Sequence, residues 1–320
     1  MRKILYLLIL SVLLSLGCLL FVNRYLNSGN NLDKPTTLLF ASGSSFSNIV
    51  DRLGDEKVIA YPNIFKVAVF ISGESTKFKS GEYLFQPGMS PKEVTAMIAG
   101  GKTVIHRLSV AEGLTTGEIL EAIKNNDALS GEITLDPKEG DLLPETYNFS
   151  RRDKRNDMIA RMQHAMKKVL NDAWENRAEK LPYKDKEQAL VMASIVEKET
   201  GVANERPRIA GVYVNRLRKD MLLQADPTTA YAITLGKYKL DRPLNYKDLA
   251  SDSPFNTYRS KGLPPTPIAN PGKAAIIATL HPLASDELFF VATGNGGHNF
   301  AATLAEHNKN VQKYRNAVAR

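Results

Sequence analysis

The run from Ala189 to Gly201 holds the residues best suited to acid–base chemistry. It has the pattern of a continuous apolar helix that ends in a carboxylate, Glu197. At the edge of a protein core, lost solvation raises the pKa of a carboxyl group toward the range that a general acid needs. The pattern makes Glu197 the candidate catalytic acid, although the same residues also fit an ordinary solvated helix end.

A second carboxylate, Glu199, follows two positions later. Two residues turn an α-helix by about 200°, so the two carboxyl groups should not share one face. The spacing therefore predicts that Glu197 and Glu199 do not form a catalytic pair.

The sequence gives little support for a metal or another cofactor, and we predict none. Cys18 is the only cysteine, which excludes a disulfide framework and a Cys-rich metal site, and the five histidines form no H-E-x-x-H motif. His281, before Pro282, is typical of a structural histidine. The glycine-rich run before His298 lacks the lysine of a phosphate-binding loop and predicts a tight turn.

Composition describes a folded, basic protein that has no nucleic-acid signature. The 320 residues are 43% hydrophobic and 24% charged, and 42 Lys and Arg against 34 Asp and Glu give a net charge of +8. The basic residues are interspersed with acidic ones and form no long run, so we expect no nucleic-acid partner. The length is typical of roughly two domains.

An uncharged segment, residues 4–22, follows Arg2 and Lys3. As a helix it would span about 28 Å, which is close to the thickness of a bilayer's hydrocarbon core. The alternatives are a cleaved signal peptide and a lipoprotein signal at Cys18, but no A-x-A site follows and the apolar residues continue past the cysteine. We predict a cytoplasmic tip at residues 1–3, one transmembrane helix at 4–22 and a linker at 23–36.

A short pattern recurs after the linker: a glycine is followed two residues later by Ser or Thr and six residues later by Ile or Val. It occurs at Gly43, Gly88 and Gly113. A turn with positive φ, an N-capping hydroxyl and the first buried helical position would produce it, so it predicts strand–turn–helix units. Common capping chemistry that arose independently would give the same pattern. Residues 37–102 thus form a predicted small α+β module.

Helices predominate in the C-terminal half, and the predicted fold class is α+β. Periodicity predicts helices at 151–174, 186–198, 209–217, 273–280 and 304–318, and a strand at 288–292. A proline-punctuated stretch occupies 226–271.

An ordered series of motifs resembles the YceG-like, or endolytic murein transglycosylase, family. The residues that carry the resemblance are 193–200 (ASIVEKET), 139–147 (EGDLLPETY), 214–217 (VNRL), 223–228 (LQADPT), 256–258 (NTY), 262–272 (GLPPTPIANPG), 281–282 (HP) and 296–300 (GGHNF). They cover nearly the whole chain. Glu145 departs from the family, which more often has Asp there.

The resemblance implies a single N-terminal transmembrane helix, a small LysM-like module at 37–102 and a helix-rich, mixed α+β catalytic domain at 103–320. It implies cleavage of the β-1,4 bond between MurNAc and GlcNAc in nascent peptidoglycan strands, which forms a 1,6-anhydroMurNAc end and terminates elongation. The implied location is the bacterial inner (plasma) membrane, with the N-terminus cytoplasmic and the other domains periplasmic. The implied partners are glycan strands, that membrane and peptidoglycan synthases.

In that chemistry Glu197 would act as the single acid and base. Gln224 and Asp226 would hydrogen-bond sugar hydroxyls or N-acetyl groups, although Asp226 also fits a residue that caps the helix of Thr228. Asn256 and Tyr258, an amide and an aromatic in a polar loop, suit saccharide contact or loop packing. The predicted substrate-binding residues are therefore Gln224, Asp226, Thr228, Asn256 and Tyr258. Two other functions fit the sequence: a hydrolytic muramidase that pairs Glu197 with Asp226 or another acid, and a non-catalytic cell-wall-binding scaffold.

Overall fold

A computed structural model describes residues 2–318 of the chain. Met1 of the predicted tip and residues 319–320 of the predicted catalytic domain lie outside the described residues. The chain divides into two compact units. The first unit contains the described residues up to His106 together with Asn148–Arg152, and the second contains Arg107–Tyr147 and the chain from Asp153 onward.

The N-terminal helix α1 runs from Arg2 to Leu26 and is long and apolar enough to span a membrane. It extends four residues into the predicted linker and ends just before Asn27, Ser28 and Gly29, three residues typical of turns in succession. Tyr25, in its last turn, is buried in the core of the first unit.

The first unit packs three helices against a small sheet, as the α+β prediction requires. Strand β1 (Thr36–Phe40) pairs antiparallel with β2 (Gly81–Phe85), and Leu38 lies opposite Tyr83. Alternate side chains of both strands face a core that includes the buried residues of three helices. These helices are α2 (Phe46–Asp55), α3 (Pro62–Ile71) and α4 (Pro91–Gly100).

The structure confirms the three predicted strand–turn–helix units. The third comprises β3 (Ile105–Ser109) and α5 (Thr116–Lys124). In each unit the glycine has a positive φ and the hydroxyl residue accepts a hydrogen bond from the backbone N–H three residues later. The capping residues are Ser45, Ser90 and Thr115. Strand β4 (Thr146–Ser150) completes a two-stranded sheet with β3, and the boundary between the two units falls within both strands.

The second unit is built mainly of helices, and the predicted helices and strand are present within a few residues. They are α6 (Arg155–Glu175), α7 (Lys186–Glu199), α8 (Arg206–Arg218), α11 (Lys273–Leu280), β5 (Phe289–Ala292) and α12 (Leu304–Val318). Strand β6 (His298–Ala301) pairs antiparallel with β5. The run before His298 is therefore a hairpin turn, as predicted.

The proline-punctuated stretch contains two helices, of which the sequence indicated only the one at Thr228. They are α9 (Asp226–Thr234) and the single turn α10 (Tyr246–Leu249). Pro227 lies in the first turn of α9, where backbone N–H groups have no intrahelical acceptor, so the N–H that proline lacks costs no hydrogen bond. Proline thus starts this helix instead of preventing it.

Helix α7 lies at the centre of the second unit. It contacts α6, α8, α9 and α11, and every residue from Ala189 to Val196 is buried. The side chain of Asp185 caps the helix by accepting from the N–H of Gln188 at 2.8 Å. This packing fixes the last turn of α7, which carries both Glu197 and Glu199.

Candidate active site

Glu197 and Glu199 point into two different clusters, as their 200° separation predicts. Glu197 meets the start of α8 and the loop before α11. Glu199 meets the middle of α8 and a cavity beside it. Residues 112–113, α7, α8 and Gly272 build the first cluster, whereas α8, the 224–226 segment, Tyr258 and the β5–β6 hairpin build the second.

Protein donors engage both oxygens of Glu197. Its Oε2 accepts from the backbone N–H of Gly272 at 2.9 Å, and Arg206 Nη2 lies 3.4 Å from its Oε1. The side chain is only 5% exposed. Burial raises the pKa of Glu197, as does the nearby charge of Glu112, whereas the Gly272 hydrogen bond and Arg206 oppose the rise. The net effect is a raised pKa, so Glu197 is also shifted toward the range of a general acid while it lies within reach of Gly272 and Arg206.

The residues around Glu197 are tightly packed. Arg206 Nη2 also lies 3.6 Å from Glu112, and Lys198 donates to the carbonyl of Gly113 at 3.1 Å. A Cβ atom on Gly272 would lie 1.8 Å from Glu112 Oε1, so the Glu112 carboxylate would have to move to admit any side chain there. The loop approaches this closely because residue 272 is glycine.

Glu199 has a different environment, in which burial predominates. Tyr213 donates a hydrogen bond to Glu199 Oε1 at 2.6 Å. Burial, with a smaller contribution from the charge of Asp226, raises the pKa of Glu199 to about 7, although the Tyr213 hydrogen bond and Arg216 act in the opposite direction. A carboxyl group with this pKa is about half protonated at neutral pH, as a general acid should be.

An open cavity of about 350 Å³ adjoins Glu199. Its lining combines acidic, amide, aromatic and imidazole groups with a few apolar ones. The lining residues are Glu199, Tyr213, Arg216, Leu223, Gln224, Asp226, Tyr258, Phe290, Val291, Ala292, His298 and His307. Three of the five predicted substrate-binding residues, Gln224, Asp226 and Tyr258, therefore meet at one cavity, and it is the cavity of Glu199.

Asp226 and Tyr258 form a hydrogen-bonded pair on this cavity. Tyr258 donates its hydroxyl to Asp226 Oδ1 at 2.5 Å, and burial raises the pKa of the Tyr258 phenol. Asp226 is the first residue of α9 and makes no capping hydrogen bond, so the alternative that it caps this helix is wrong. Its carboxylate instead contributes negative charge to the cavity.

Arg216, on α8, holds the segment around Gln224 in place through hydrogen bonds. Its guanidinium donates to the carbonyls of Leu223 at 2.8 Å and Leu288 at 2.6 Å, and Nη1 lies 3.4 Å from Gln224 Oε1. Gln224 itself has a φ of 50°, in the left-handed region that non-glycine residues seldom adopt. The segment is therefore held in one conformation beside α8 and the hairpin.

The other two predicted substrate-binding residues, Thr228 and Asn256, are fully buried. Thr228 Oγ1 donates to the carbonyl of Ala225 at 2.7 Å, and Asn256 Oδ1 accepts from Thr229 at 3.0 Å while its amide donates to Ser251 O at 2.8 Å. These bonds fix the backbone on either side of Asp226 and Tyr258. The polar atoms of Thr228 and Asn256 already have protein partners. Direct sugar contact by these two residues stays a prediction.

Five polar or charged cavity residues were not among the predicted site residues: Glu199, Tyr213, Arg216, His298 and His307. His298 Nδ1 lies 2.7 Å from Glu205 Oε2, while the buried Nδ1 of His307 has no hydrogen-bond partner. The stretches 214–217 and 296–300 carried part of the family resemblance, but no local pattern selected these side chains as site residues. Among residues 2–318, no three His, Cys, Asp or Glu side chains are grouped so that they could hold a metal ion.

Comparison with curated proteins identifies similar sequences along most of the chain. The endolytic murein transglycosylase of Bacillus subtilis is 36% identical over 307 residues, which covers 85% of this chain and 83% of that protein. The endolytic murein transglycosylase of Streptococcus pneumoniae serotype 2 is 26% identical over 336 residues, which covers 90% of this chain and 60% of that protein. The chain thus spans about three-fifths of the pneumococcal relative's length.

A solved structure and a family profile agree with these sequence matches. The crystal structure of a yceG-like protein from Listeria monocytogenes superposes with a TM-score of 0.53 at 33% identity, and the match covers 86% of this chain and 99% of that chain. The sequence profile of the YceG-like family matches residues 39–313. The chain therefore belongs to the YceG-like family.

Proposed function

We propose that the chain is a membrane-anchored endolytic lytic transglycosylase that cleaves the MurNAc–GlcNAc β-1,4 bond in nascent peptidoglycan strands and so terminates their elongation. Family membership and the activity for which the relatives are named support the reaction class. The observation that carries the proposal is one buried carboxyl group, with a pKa raised to about 7, beside an open polar cavity.

Two residues compete for the role of the acid, and the geometry favours Glu199 over the sequence-based candidate Glu197. Glu197 has both oxygens engaged by Gly272 and Arg206, which stabilise its ionised form. Glu199 adjoins the cavity and is tuned by burial to exchange a proton near neutral pH. We therefore assign the role of general acid and base to Glu199. Glu197 is the alternative, and the matched variants Glu199→Gln and Glu197→Gln distinguish the two.

In the proposed reaction, protonated Glu199 donates its proton to the glycosidic oxygen, and the bond from that oxygen to C1 of MurNAc breaks. The C6 hydroxyl of the same MurNAc attacks C1 and forms the new C1–O6 bond. Glu199, now a carboxylate, accepts the C6 hydroxyl proton and is regenerated. The products are a free GlcNAc end and a 1,6-anhydroMurNAc end, and no water is consumed.

The remaining cavity residues would hold the sugar and stabilise charge. Asp226, fixed by the Tyr258 hydroxyl, brings a carboxylate to the cavity where positive charge develops on the sugar ring. Gln224 offers an amide for sugar hydroxyl or N-acetyl groups. A hydrolytic muramidase would need a second carboxylate, and Asp226 lines the same cavity as Glu199. The presence of Glu199 and Asp226 at one cavity supports hydrolysis as the second candidate reaction.

The anchor would place this reaction at the inner membrane. Helix α1 has the length and apolarity of a single membrane span, and Arg2 and Lys3 before it favour a cytoplasmic N-terminus. Both units would then lie in the periplasm, near the synthases that extend the strands. The LysM-like role of residues 37–102 belongs to the same proposal, with the module binding glycan or positioning the catalytic unit.

Mass spectrometry of the products tests the proposal. The full chain, reconstituted in lipid vesicles, is incubated with purified uncrosslinked glycan strands, and Glu199→Gln is assayed beside the matched Glu197→Gln. We expect 1,6-anhydroMurNAc ends from the wild type and none above background from Glu199→Gln. New reducing ends without anhydro ends would select the muramidase, and glycan binding without cleavage would select the scaffold.

A further inference from the structure

Helix α3 of the first unit carries an exposed apolar stripe. Val67, Phe70 and Ile71 are 59%, 72% and 79% exposed. Their spacing of three and four residues places them on one face of the helix. Three large apolar side chains at this exposure on one face are unusual for a surface that meets only water.

The stripe lies on the side of α3 that faces away from the unit's core. Phe65 and Val69, on the opposite face, are buried in that core. Lys66 is the only charged residue of α3, and Asp51 pairs with it at 2.6 Å. The outer face of α3 therefore has no free charge to keep it in water.

Helix α3 lies beside the end of the apolar span of α1. Tyr61, immediately before α3, has its ring 5.8 Å from the ring of Phe21 and 5.2 Å from the ring of Tyr25. At the other end of α3, a cavity separates it from the last turns of α1. That cavity is lined in part by Asn23 and Leu26 of α1, by Asn27 directly after it, and by Ala68, Val69 and Ser72. Both ends of α3 thus lie beside residues 21–27, where the predicted span ends.

Both helices carry exposed apolar side chains, and they meet at the contact between Phe21 and Tyr61. The α1 residues at positions 4–20 are all exposed, so this part of the helix projects away from the core of the first unit. Only Tyr25 and Leu26 of α1 pack into that core. The stripe of α3 also faces away from the core and begins where α1 leaves it. Tyr61, an aromatic residue with a polar tip, occupies the junction, as is usual at a membrane–water boundary.

We propose that α3 is an interfacial helix that lies in the outer headgroup region of the membrane that α1 spans, with Val67, Phe70 and Ile71 in contact with acyl chains. The inference rests on the proposed membrane anchor and adds a second membrane contact to it. A helix of this kind buries its apolar face at the boundary between headgroups and acyl chains. It would hold the first unit against the bilayer in a fixed orientation, which α1 alone would not do.

Site-directed spin labelling of the full chain in phospholipid vesicles tests the inference. In a Cys18→Ala background, single cysteines at positions 67, 70 and 71 are labelled and compared with position 13 in α1 and position 52 on the exposed side of α2. Oxygen, which partitions into lipid, and a water-soluble nickel chelate serve as the two relaxing agents. We expect the labels on α3 to resemble the label at position 13, with low accessibility to the nickel chelate and high accessibility to oxygen. The label at position 52 should be accessible to the nickel chelate.

Each other outcome contradicts a distinct statement. Nickel-accessible labels on α3, together with an oxygen-accessible label at position 13, would overturn the interfacial helix and leave the anchor intact. A nickel-accessible label at position 13 would overturn the anchor and the inference with it. Low accessibility to both agents, with dipolar broadening between labels, would show that a second copy of the chain covers the stripe.

Discussion

The last turn of α7 carries two carboxylates whose surroundings differ in kind. Around Glu197, a backbone N–H and the Arg206 guanidinium lie within 3.4 Å and both favour the ionised carboxylate. Around Glu199, the close hydrogen-bond partner is a tyrosine hydroxyl, and burial raises the pKa to about 7. In the first cluster both carboxylate oxygens of Glu197 have protein partners, whereas Glu199 lines a cavity of about 350 Å³.

The difference shows that burial alone does not identify an acid. Burial raises the pKa of both groups, and in each case a hydrogen bond and a nearby arginine oppose the rise; Gly272 and Arg206 do so for Glu197, and Tyr213 and Arg216 for Glu199. A stabilised charge is a poor proton donor, whereas a half-protonated group beside open space donates readily. We therefore expect the same substitution to have a much larger effect at Glu199 than at Glu197.

The largest expected effect is on turnover. Glu199→Gln should lower kcat for anhydro-end formation by about 10³-fold or more, because the proposed acid of the cavity is removed. Glu197→Gln keeps an acceptor for Gly272 and should lower kcat less than about tenfold. Release of anhydro products, followed by mass spectrometry, measures both. A folded Glu199→Gln that retains wild-type turnover would exclude Glu199 and favour Glu197.

The pH profile should show which carboxyl group acts. Because Glu199 must start protonated and its pKa is about 7, kcat/KM should fall about tenfold per pH unit above 7. The matched Glu197→Gln variant should keep this alkaline limb at the same pH. A wild-type profile that stays flat from pH 6 to 9 would contradict the role of Glu199.

Glu199→Gln should raise the stability of the fold although it lowers activity. The folded pKa of Glu199 exceeds the ordinary 4.5, so between pH 4.5 and about 7 the folded chain holds a proton that the unfolded chain has lost. Stability therefore falls across that window, and above pH 7 the cost is fully present. At pH 8, Glu199→Gln should raise the free energy of unfolding by about 1–3 kcal/mol, and Glu197→Gln should change it by less than about 1 kcal/mol. Urea unfolding of the detergent-solubilised chain measures this, and a destabilised Glu199→Gln would argue against the burial penalty.

The smallest expected effect is a shift of the alkaline limb. The hydroxyl of Tyr213 holds the pKa of Glu199 down, so Tyr213→Phe should move the limb of kcat/KM upward by up to about one pH unit. Tyr183→Phe is the matched control, because the buried Tyr183 hydroxyl has no hydrogen-bond partner. A downward shift in Tyr213→Phe, or an equal shift in the control, would contradict this account of the tuning.

The sequence predicted the parts of the fold that depend on local chemistry. Ser45, Ser90 and Thr115 cap their helices as their spacing from the preceding glycines indicated. The bounds of α11 agree to the residue, because a polar start and an apolar run define that helix. The α+β class and the apolar N-terminal helix follow from the same kind of signal.

The choice between the two carboxylates could not be predicted, because it depends on long-range contacts. Helix α7 is buried all round from Ala189 to Val196, so its periodicity does not distinguish the faces that continue to Glu197 and Glu199. The decisive neighbours, Arg206 on one side and Tyr213 on the other, come from α8. The sequence did select Gln224, Asp226 and Tyr258, whose common cavity becomes visible only in the fold.

The division of the first unit into two stretches of chain has a consequence for how the protein is made. Asn148–Arg152 belongs to that unit but follows the whole of Arg107–Tyr147, which belongs to the other. A chain that emerges from its N-terminus therefore cannot complete its first unit until part of the second has been synthesised. The final strand of the first unit would be added late, and we expect nascent chains arrested before residue 148 to remain more sensitive to protease in the first unit than chains arrested after residue 152.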